Sequence, residues 1–322
     1  METNPEDDPE IQAAIKKAED FYRLLKAKKV NNDAIFEAIL NTNNFERQVM
    51  NDYIENNHSM SIIKALEVVF SGNLREILIY MFYSPYELDA RLLNNALHGF
   101  KTDTKVIVEI FASRPKWYLD LIDQEYNRIY KCTLRSEIGK KKKDFNKFLM
   151  CLFDNEREEG KHLELNEAEQ IVDEMLKVGL KKYGTDLELF KKVFVKKSRE
   201  DFILISRVFY QKNPKKINLY QACDNQVGSA NRELLKALVY AICDSSHYFG
   251  HNLKKAIVGI GTNTKTLNRI LALRSEIDVD VIRERYKGET GRELIDDIKG
   301  DVSGDYGKFL CMLANRNPSN TE

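Results

Sequence analysis

The sequence has few glycines and prolines for its length, no long apolar run and no net charge. Its 322 residues include 15 glycines and 6 prolines, and 50 basic residues balance 50 acidic ones. Without a basic excess, no overall field attracts nucleic acid. No apolar run approaches the roughly 18–20 residues of a membrane span. The N-terminal METNPEDDPE lacks a signal-peptide core and a myristoylation glycine. These absences predict a soluble, cytoplasmic protein that is at most reversibly peripheral to membranes.

The sequence motifs of common enzymes and zinc sites are also absent. There is no GxSxG, HExxH, paired CxxC or Walker sequence, and GIGTNTKT lacks the glycine that a phosphate loop places directly before Lys265. Cys243, His247 and His251 are spaced like part of a zinc site, but no fourth ligand is evident. The five cysteines lie mostly in apolar segments, which is typical of small core residues in a reducing compartment. We therefore predict no enzymatic activity.

What the chain does contain is one segment that recurs four times. A shift of 160 residues places 96–114 on 256–274, and a shift of 77 places 184–197 on the same segment. The first copy is the most divergent but keeps apolar residues such as Ile35 and Ile54 at the same spacing. Within each copy, apolar residues recur at helical spacing, in about five short runs. No copy could bury its apolar stripes alone, so the four must pack on one another.

The repeat spacing also predicts the boundaries. They are an N-terminal tail at 1–12, repeats at 13–84, 85–154, 168–245 and 246–316, a connector at 155–167 between the second and third repeats, and a C-terminal tail at 317–322.

The fourth repeat contains residues suited to a calcium site. An apolar helical segment ends at Ile257, and a Gly-x-Gly turn follows at Gly259 and Gly261. Glycine adopts positive φ easily, so several backbone carbonyls can turn toward one point. We predict that the Thr262 hydroxyl caps the next helix, and that Asp301 approaches the carbonyls from a second short loop. Two or three carbonyls with one bidentate carboxylate suit Ca²⁺ and leave coordination positions open.

These motifs resemble one known family. GxGT, an arginine twelve residues later at Arg274, and GDxSGDY before a terminal apolar helix are similar to the last repeat of an annexin. The resemblance extends over about Ala13–Asn315. It implies an all-α fold of four annexin-type repeats of about five helices each, packed as a curved right-handed superhelical disc with calcium loops on its convex face.

The resemblance also implies a ligand set for Ca²⁺, the expected cofactor. The carbonyl ligands are those of Ile257, Gly259 and Gly261 in the fourth repeat and Leu180, Lys182 and Gly184 in the third; the carboxylates are Asp301 and Asp224. An extra residue before Gly228 leaves open whether Asp224 is in place. Thr185 and Glu188 have the spacing of a capping box.

In the other two repeats the pattern is broken. Lys101 replaces the second glycine of the second repeat, and lysines occupy its acid position, so we expect no calcium there. The first repeat has Ala27, Lys29 and Val69 at the corresponding positions, with the same expectation.

Several residues of these loops are candidates for membrane contact. They are Ile260, Tyr183, Lys140, Lys141, Lys142 and Lys143. The simplest interpretation of the lysine run is a solvated surface. The alternative is calcium-independent attraction to anionic lipid, at roughly 1 kcal/mol per lysine. An exposed tyrosine without a membrane role is the alternative for Tyr183.

A third group of charged residues interrupts apolar faces. Its members are Asp89, Glu109, Arg114, Arg269 and Asp278. They coincide with positions of the polar central channel of annexins. Buried charges persist when they are paired, so a role in fixing the repeats is the simplest interpretation, and ion conduction is the alternative.

Together these residues predict calcium-dependent binding to anionic, phosphatidylserine-like phospholipid membranes, mainly through the fourth repeat and also through the third. The alternative is a helical scaffold for cytoskeletal or other proteins with vestigial calcium sites. No nucleic acid partner is expected, and self-association on membranes is left open.

Overall fold

The chain is built from α-helices throughout the part that the structure describes. The computed structural model describes residues 8–141, 143–160, 162–178, 186–224, 229–259 and 261–318. Within these ranges there are twenty α-helices and one π-helical segment, and no β-strand. The predicted all-α class is confirmed. None of these helices is both long and apolar enough to cross a membrane.

The helices follow one another in four successive groups of five. The first repeat has α1 (Pro9–Lys26), α2 (Asn32–Leu40), α3 (Asn44–Asn57), α4 (Ile62–Val69) and α5 (Gly72–Phe82). The second has α6 (Pro85–His98), α7 (Thr104–Ser113), α8 (Lys116–Tyr130), α9 (Leu134–Gly139) and α10 (Asp144–Asp154). The third has α11 (Leu165–Val178), α12 (Leu187–Phe190) continued by the π-helical segment Lys191–Val195, α13 (Arg199–Lys212), α14 (Leu219–Cys223) and α15 (Ser229–Cys243). The fourth has α16 (Ser245–Ile257), α17 (Thr264–Arg274), α18 (Val279–Thr290), α19 (Leu294–Asp301) and α20 (Gly304–Ala314).

Three helices begin earlier than the predicted boundaries, and the smallest difference is at α16, which starts at Ser245 instead of residue 246. The first helix starts at Pro9, where the Asp8 carboxylate accepts a hydrogen bond of 2.9 Å from the Glu10 amide. An acidic cap followed by proline is a favourable helix start, so residues 9–12 belong to α1 and not to a tail. Similarly, α11 begins at Leu165, so residues 165–167 are helical and not part of the connector.

The second helix of every repeat is capped at the same position. The N-cap side chain accepts a hydrogen bond from a backbone amide of the first turn. The capping residues are Asn31, Asp103, Asp186 and Asn263. The predicted cap at Thr262 is therefore wrong by one residue, because Asn263 follows it and is a stronger cap than threonine. The predicted capping box of the third repeat is likewise replaced by Asp186; Thr185 lies outside the described residues.

The chain divides into two compact units. The first comprises Met1–Pro85 and Phe249–Glu322, and so joins the first and fourth repeats. Within it α5 packs against α17 and α2 against α20. The rings of Phe36 and Phe309 are 4.9 Å apart between α2 and α20, and the Lys308 ammonium lies 2.6 Å from the Asp33 carboxylate at the surface.

The second unit comprises Tyr86–Tyr248 and joins the second and third repeats. Here α7 packs against α15. In each unit, therefore, the second helix of one repeat packs on the fifth helix of the other. The rings of Phe148 and Phe190, 4.4 Å apart, link α10 to α12.

Candidate metal centre

The glycine turn after α16 has a backbone that other residue types rarely adopt. The φ angles are +154° at Gly259 and +80° at Gly261, and a Cβ at either position would meet open space. Glycine is thus needed for its backbone conformation and not for close packing. The amide of Asn263 donates to the carbonyl of Ala256 at 2.8 Å and closes the loop.

Three carbonyl oxygens of this loop are available to a ligand. They belong to Ile257, Gly259 and Gly261, and no group of the described chain donates a hydrogen bond to any of them. The Ile257 side chain is buried and anchors the loop, whereas both glycines are exposed. Exposed carbonyls without a protein partner are hydrated, and a hard cation can replace that water.

The Asp301 carboxylate lies beside this loop. The hydroxyl of Thr262 donates a hydrogen bond of 2.6 Å to Asp301 Oδ2. Asp301 is the last residue of α19, whereas the sequence predicted a loop position for it. The side chain is exposed, so its second oxygen can reach solvent or a bound ion. Ile260, between the glycines, lies outside the described residues.

The donor set fits calcium and not a transition metal. It consists of neutral carbonyls and one carboxylate, which are the oxygen ligands of Ca²⁺. No group of three or more His, Cys, Asp or Glu side chains that could hold a metal occurs among the described residues. A site with a single carboxylate is compatible with that finding. His251 does not complete a zinc site; its Nδ1 lies 2.8 Å from Glu289 Oε1.

In the third repeat only the carboxylate position can be described. Leu180, Lys182, Tyr183 and Gly184 lie outside the described residues. Asp224 caps the end of α14, and its Oδ1 lies 2.6 Å from the ammonium of Lys236, which stands over the Tyr220 ring at 4.5 Å. Burial alone would lower the pKa of Lys236, but its hydrogen bonds to Asp224 and Tyr220 raise it. A calcium ion at Asp224 would therefore compete with a lysine.

The second repeat keeps the loop but not the ligands. The Asp103 amide donates to the Ala96 carbonyl at 2.9 Å, the same closure as in the fourth repeat. Neither Gly99 nor Lys101 has a positive φ, so the carbonyls are not arranged as in the fourth repeat. The acid position holds Lys141, which is exposed.

The first repeat lacks the ligands for similar reasons. Ala27 and Lys29 stand at the glycine positions without positive φ. The acid position is the apolar Val69, the last residue of α4. Its loop has no carboxylate to offer a cation.

The lysine run after α9 is only partly paired. The Lys140 ammonium contacts the Glu137 carboxylate, which raises the pKa of Lys140. Lys141 and Lys143 are exposed, and Lys142 lies outside the described residues. Sequence reasoning overlooked Phe100, whose side chain is fully exposed at the tip of the loop between α6 and α7.

The predicted charged network forms pairs within each unit. In the second unit Arg114 Nε donates to Asp89 Oδ2 at 2.8 Å. Glu109, which lies on α7 before Arg114, is also buried. In the first unit Asp278 pairs with Arg274, at 2.7 Å from Arg274 Nε, and Arg269 is buried on α17.

The two arginines occupy equivalent positions with their partners exchanged. The guanidinium of Arg114 stands 5.3 Å from the centre of the Tyr118 ring and pairs with Asp89. That of Arg274 stands 4.7 Å from the Phe249 ring and pairs with Asp278. A shift of 160 residues places Asp89 on Phe249 and Tyr118 on Asp278. The acid and the aromatic ring have therefore changed places around a shared arginine.

Comparison with known proteins gives one consistent result. The annexin family model matches residues 88–152 and 248–313. Human annexin A4 is 29% identical over 301 residues, which cover 93% of this chain and 94% of that protein. Rabbit annexin A11 (Oryctolagus cuniculus) is 28% identical over 94% of this chain, which spans only 60% of A11.

Solved structures of annexins have a fold similar to that of this chain. Chicken annexin V superposes with a TM-score of 0.85 at 26% identity, over 94% of this chain and 95% of that one. Annexin A8 superposes with a TM-score of 0.86 at 25% identity, over 94% of each chain. The sequence relatives, the family matches in the second and fourth repeats and the shared four-repeat fold identify the chain as a distant member of the annexin family.

Proposed function

We propose that this protein binds anionic phospholipid membranes through a calcium ion held by its fourth repeat. Calcium-dependent phospholipid binding is the general activity of the annexin family, which is non-enzymatic. The carbonyls of Ile257, Gly259 and Gly261 and the carboxylate of Asp301 are the protein ligands in this proposal. Peripheral association with membranes is typical of the family and follows from the same chemistry.

One observation supports the proposal most directly. The hydrogen bond from Thr262 to Asp301 brings the only carboxylate of the loop pair to a turn whose carbonyls have no partner in the described chain. Four to five protein oxygens leave about one to four of the six to eight positions of Ca²⁺ open. Phosphoryl oxygens of an anionic lipid fill them, so the ion bridges protein and membrane. Each ligand then strengthens the binding of the other.

The third repeat is the second site of the proposal, with the carbonyls of Leu180, Lys182 and Gly184 and the carboxylate of Asp224. The pair with Lys236 at 2.6 Å must open before Asp224 binds calcium. We therefore propose that this site binds calcium more weakly than the fourth. Tyr183 and Ile260, which the sequence places among the predicted ligands of the two sites, are proposed to contact the lipid headgroups.

The test is co-sedimentation with phosphatidylserine vesicles across a calcium titration. Asp301→Asn keeps an acceptor for Thr262 but removes the charge, and we expect it to raise the calcium concentration for half-maximal binding at least about tenfold. The matched control is Asp296→Asn, an exposed aspartate in the same helix without an ion pair in the described chain. Asp224→Asn should cause a smaller shift.

Two results would contradict the proposal. Wild-type protein that does not sediment with vesicles at millimolar calcium would favour the scaffold alternative. Equal calcium requirements for wild type and Asp301→Asn would show that the bridging ion is held elsewhere.

A further inference from the structure

The loop between α6 and α7 presents a large aromatic side chain wholly to solvent. Phe100 has a relative exposure of 112%, the highest of the exposed large apolar residues in the described chain, ahead of Val68 at 75%. Exposing a phenylalanine forgoes the stabilisation that its burial would provide. Phe100 is also flanked by the basic residue Lys101. An apolar tip with a basic neighbour is typical of a group that inserts at a membrane interface.

A chain of contacts joins this loop to the lysine run after α9. His98, the last residue of α6, has its Nε2 3.4 Å from a carboxylate oxygen of Glu137 on α9. Glu137 in turn holds Lys140. Phe100 lies two residues after His98 and Lys141 directly follows Lys140, so Phe100 and Lys141 belong to one local surface.

Three lysines of this surface are available to contact an anionic ligand. Lys101, Lys141 and Lys143 are exposed, and no carboxylate of the described chain lies within salt-bridge distance of them. Lys140 is different, because Glu137 neutralises it. The acidic side chains next to these lysines along the chain have other partners. Asp144 pairs with Lys147 at 2.9 Å, and Asp103 accepts a hydrogen bond of 3.1 Å from the Lys105 amide.

The positions of two of these lysines have a counterpart in the calcium loop. A shift of 160 residues places Lys101 on Gly261 and Lys141 on Asp301. Where the fourth repeat has the residues that bind a cation, the second repeat carries two ammonium groups. These ammonium groups therefore offer lipid phosphate a positive charge that does not require a bound calcium ion.

We propose that Phe100, Lys101, Lys141 and Lys143 form a lysine anchor that binds an anionic bilayer without calcium. The ammonium groups contact lipid phosphates, and Phe100 inserts among the headgroups. The inference rests on the proposed function only in its choice of an anionic bilayer as ligand. Each lysine contributes about fivefold to the affinity, and insertion of Phe100 about tenfold.

The first experiment follows the side chain at position 100. Trp117 is the single tryptophan of the chain, so the double variant Phe100→Trp, Trp117→Phe places the only indole on the anchor. In EGTA, with vesicles of phosphatidylserine and phosphatidylcholine, we expect its fluorescence to shift to the blue. The control is Leu165→Trp, Trp117→Phe, with an exposed indole on α11, and no shift is expected. Unchanged emission at position 100 would overturn insertion.

The second experiment tests the charges. Lys101→Glu with Lys141→Glu should weaken co-sedimentation in EGTA at least about 25-fold, while the Asp301-dependent binding in calcium remains. The control, Lys16→Glu with Lys215→Glu, changes the net charge equally at two exposed lysines elsewhere and should retain binding. Circular dichroism of each variant confirms folding.

The outcomes separate this proposal from the calcium bridge. Wild-type binding in calcium but none in EGTA overturns the lysine anchor alone. Equal binding to neutral and anionic vesicles in EGTA, or equal losses in the two charge variants, also overturns it. Binding in EGTA that depends on Lys101 and Lys141, with an unchanged calcium response of Asp301→Asn, supports the anchor and overturns the bridge.

Discussion

At the scale of single residues, the calcium chemistry depends on a hydroxyl as well as a carboxylate. Thr262 does not cap α17; its hydroxyl holds Asp301 at 2.6 Å. A positioned carboxylate loses less freedom when it binds an ion. In the proposed calcium site, Thr262 therefore positions a ligand.

The first prediction is that Thr262→Val lowers the calcium affinity about fivefold, the equivalent of one hydrogen bond of about 1 kcal/mol. Its effect on the thermal midpoint should be small because the pair is exposed. The matched control is Thr102→Val, the same position in the second repeat, where Lys141 replaces the acid. Equilibrium dialysis measures the calcium affinity of each variant. An equal affinity for Thr262→Val and Thr102→Val would show that Thr262 has no positioning role.

The second prediction concerns Gly261. Gly261→Ala should lower the free energy of unfolding by about 1 kcal/mol, because alanine at φ +80° is strained although its Cβ has room. It should also raise the calcium requirement, because relief of the strain rotates the carbonyls. The control is Gly288→Ala, an open helical position in α18 that should gain about 0.5–1 kcal/mol. Urea midpoints measure both, and a stabilised Gly261→Ala would contradict the account.

Much of the calcium loop could be predicted from residue types alone. The glycines and Asp301 are recognisable because their chemistry is local. The pair of Asp224 with Lys236 could not be predicted, because it depends on the rotation of α15 about its axis. The exposure of Phe100 could not be predicted either. Phe100 lies in a loop, where the helical periodicity that distinguishes buried from exposed residues no longer applies.

At the scale of helices and their joints, the second and fourth repeats each contain an arginine–aspartate ion pair at the end of their second helix. Asp89 is fully buried, and Arg114 nearly so. Burial alone would lower the pKa of Arg114, but the Asp89 carboxylate raises it above its usual value. The guanidinium therefore remains charged throughout the accessible pH range.

The third prediction follows from that burial. Arg114→Met should cost about 3–5 kcal/mol of unfolding free energy, because the buried Asp89 carboxylate loses its guanidinium partner. Arg274→Met should cost less, because the Asp278 side chain retains 15% exposure and partial hydration. Adding Asp89→Leu to Arg114→Met should recover much of the loss. Equal losses in the two single variants, measured by urea denaturation, would contradict the difference in burial.

The fourth prediction concerns the joint between α19 and α20, which positions Asp301. A Cβ on Gly307 would stand 2.5 Å from the Val302 carbonyl oxygen. Gly307→Ala should therefore destabilise by about 1–3 kcal/mol, although alanine favours helices. Because Val302 directly follows Asp301, the calcium requirement should rise too. The helical control is again Gly288→Ala, and a Gly307→Ala protein as stable as wild type would disprove the close approach.

At the scale of the whole molecule, repeats distant in sequence share a unit. The first unit holds the fourth repeat and its calcium loop; the second holds the third repeat and the lysine anchor. The number of helices in each repeat was predictable, because periodicity is local. The pairing of repeats was not, because packing such as that of α5 on α17 joins segments far apart in the chain.

In the two proposals, each unit has its own source of positive charge for an anionic bilayer. In the proposed function the fourth repeat obtains its positive charge from calcium, so its membrane binding follows the calcium concentration. The lysine anchor carries its own charge, so its binding follows ionic strength instead. The central claim is the first of these, that calcium and lipid share the site at Asp301.

The most direct test is the calcium affinity measured by equilibrium dialysis with and without phosphatidylserine vesicles, after subtraction of calcium bound by vesicles alone. The bridging account predicts that vesicles raise the affinity of the wild-type protein at least about tenfold, and that Asp301→Asn abolishes most of this gain. A wild-type calcium affinity that is the same with and without vesicles would contradict it.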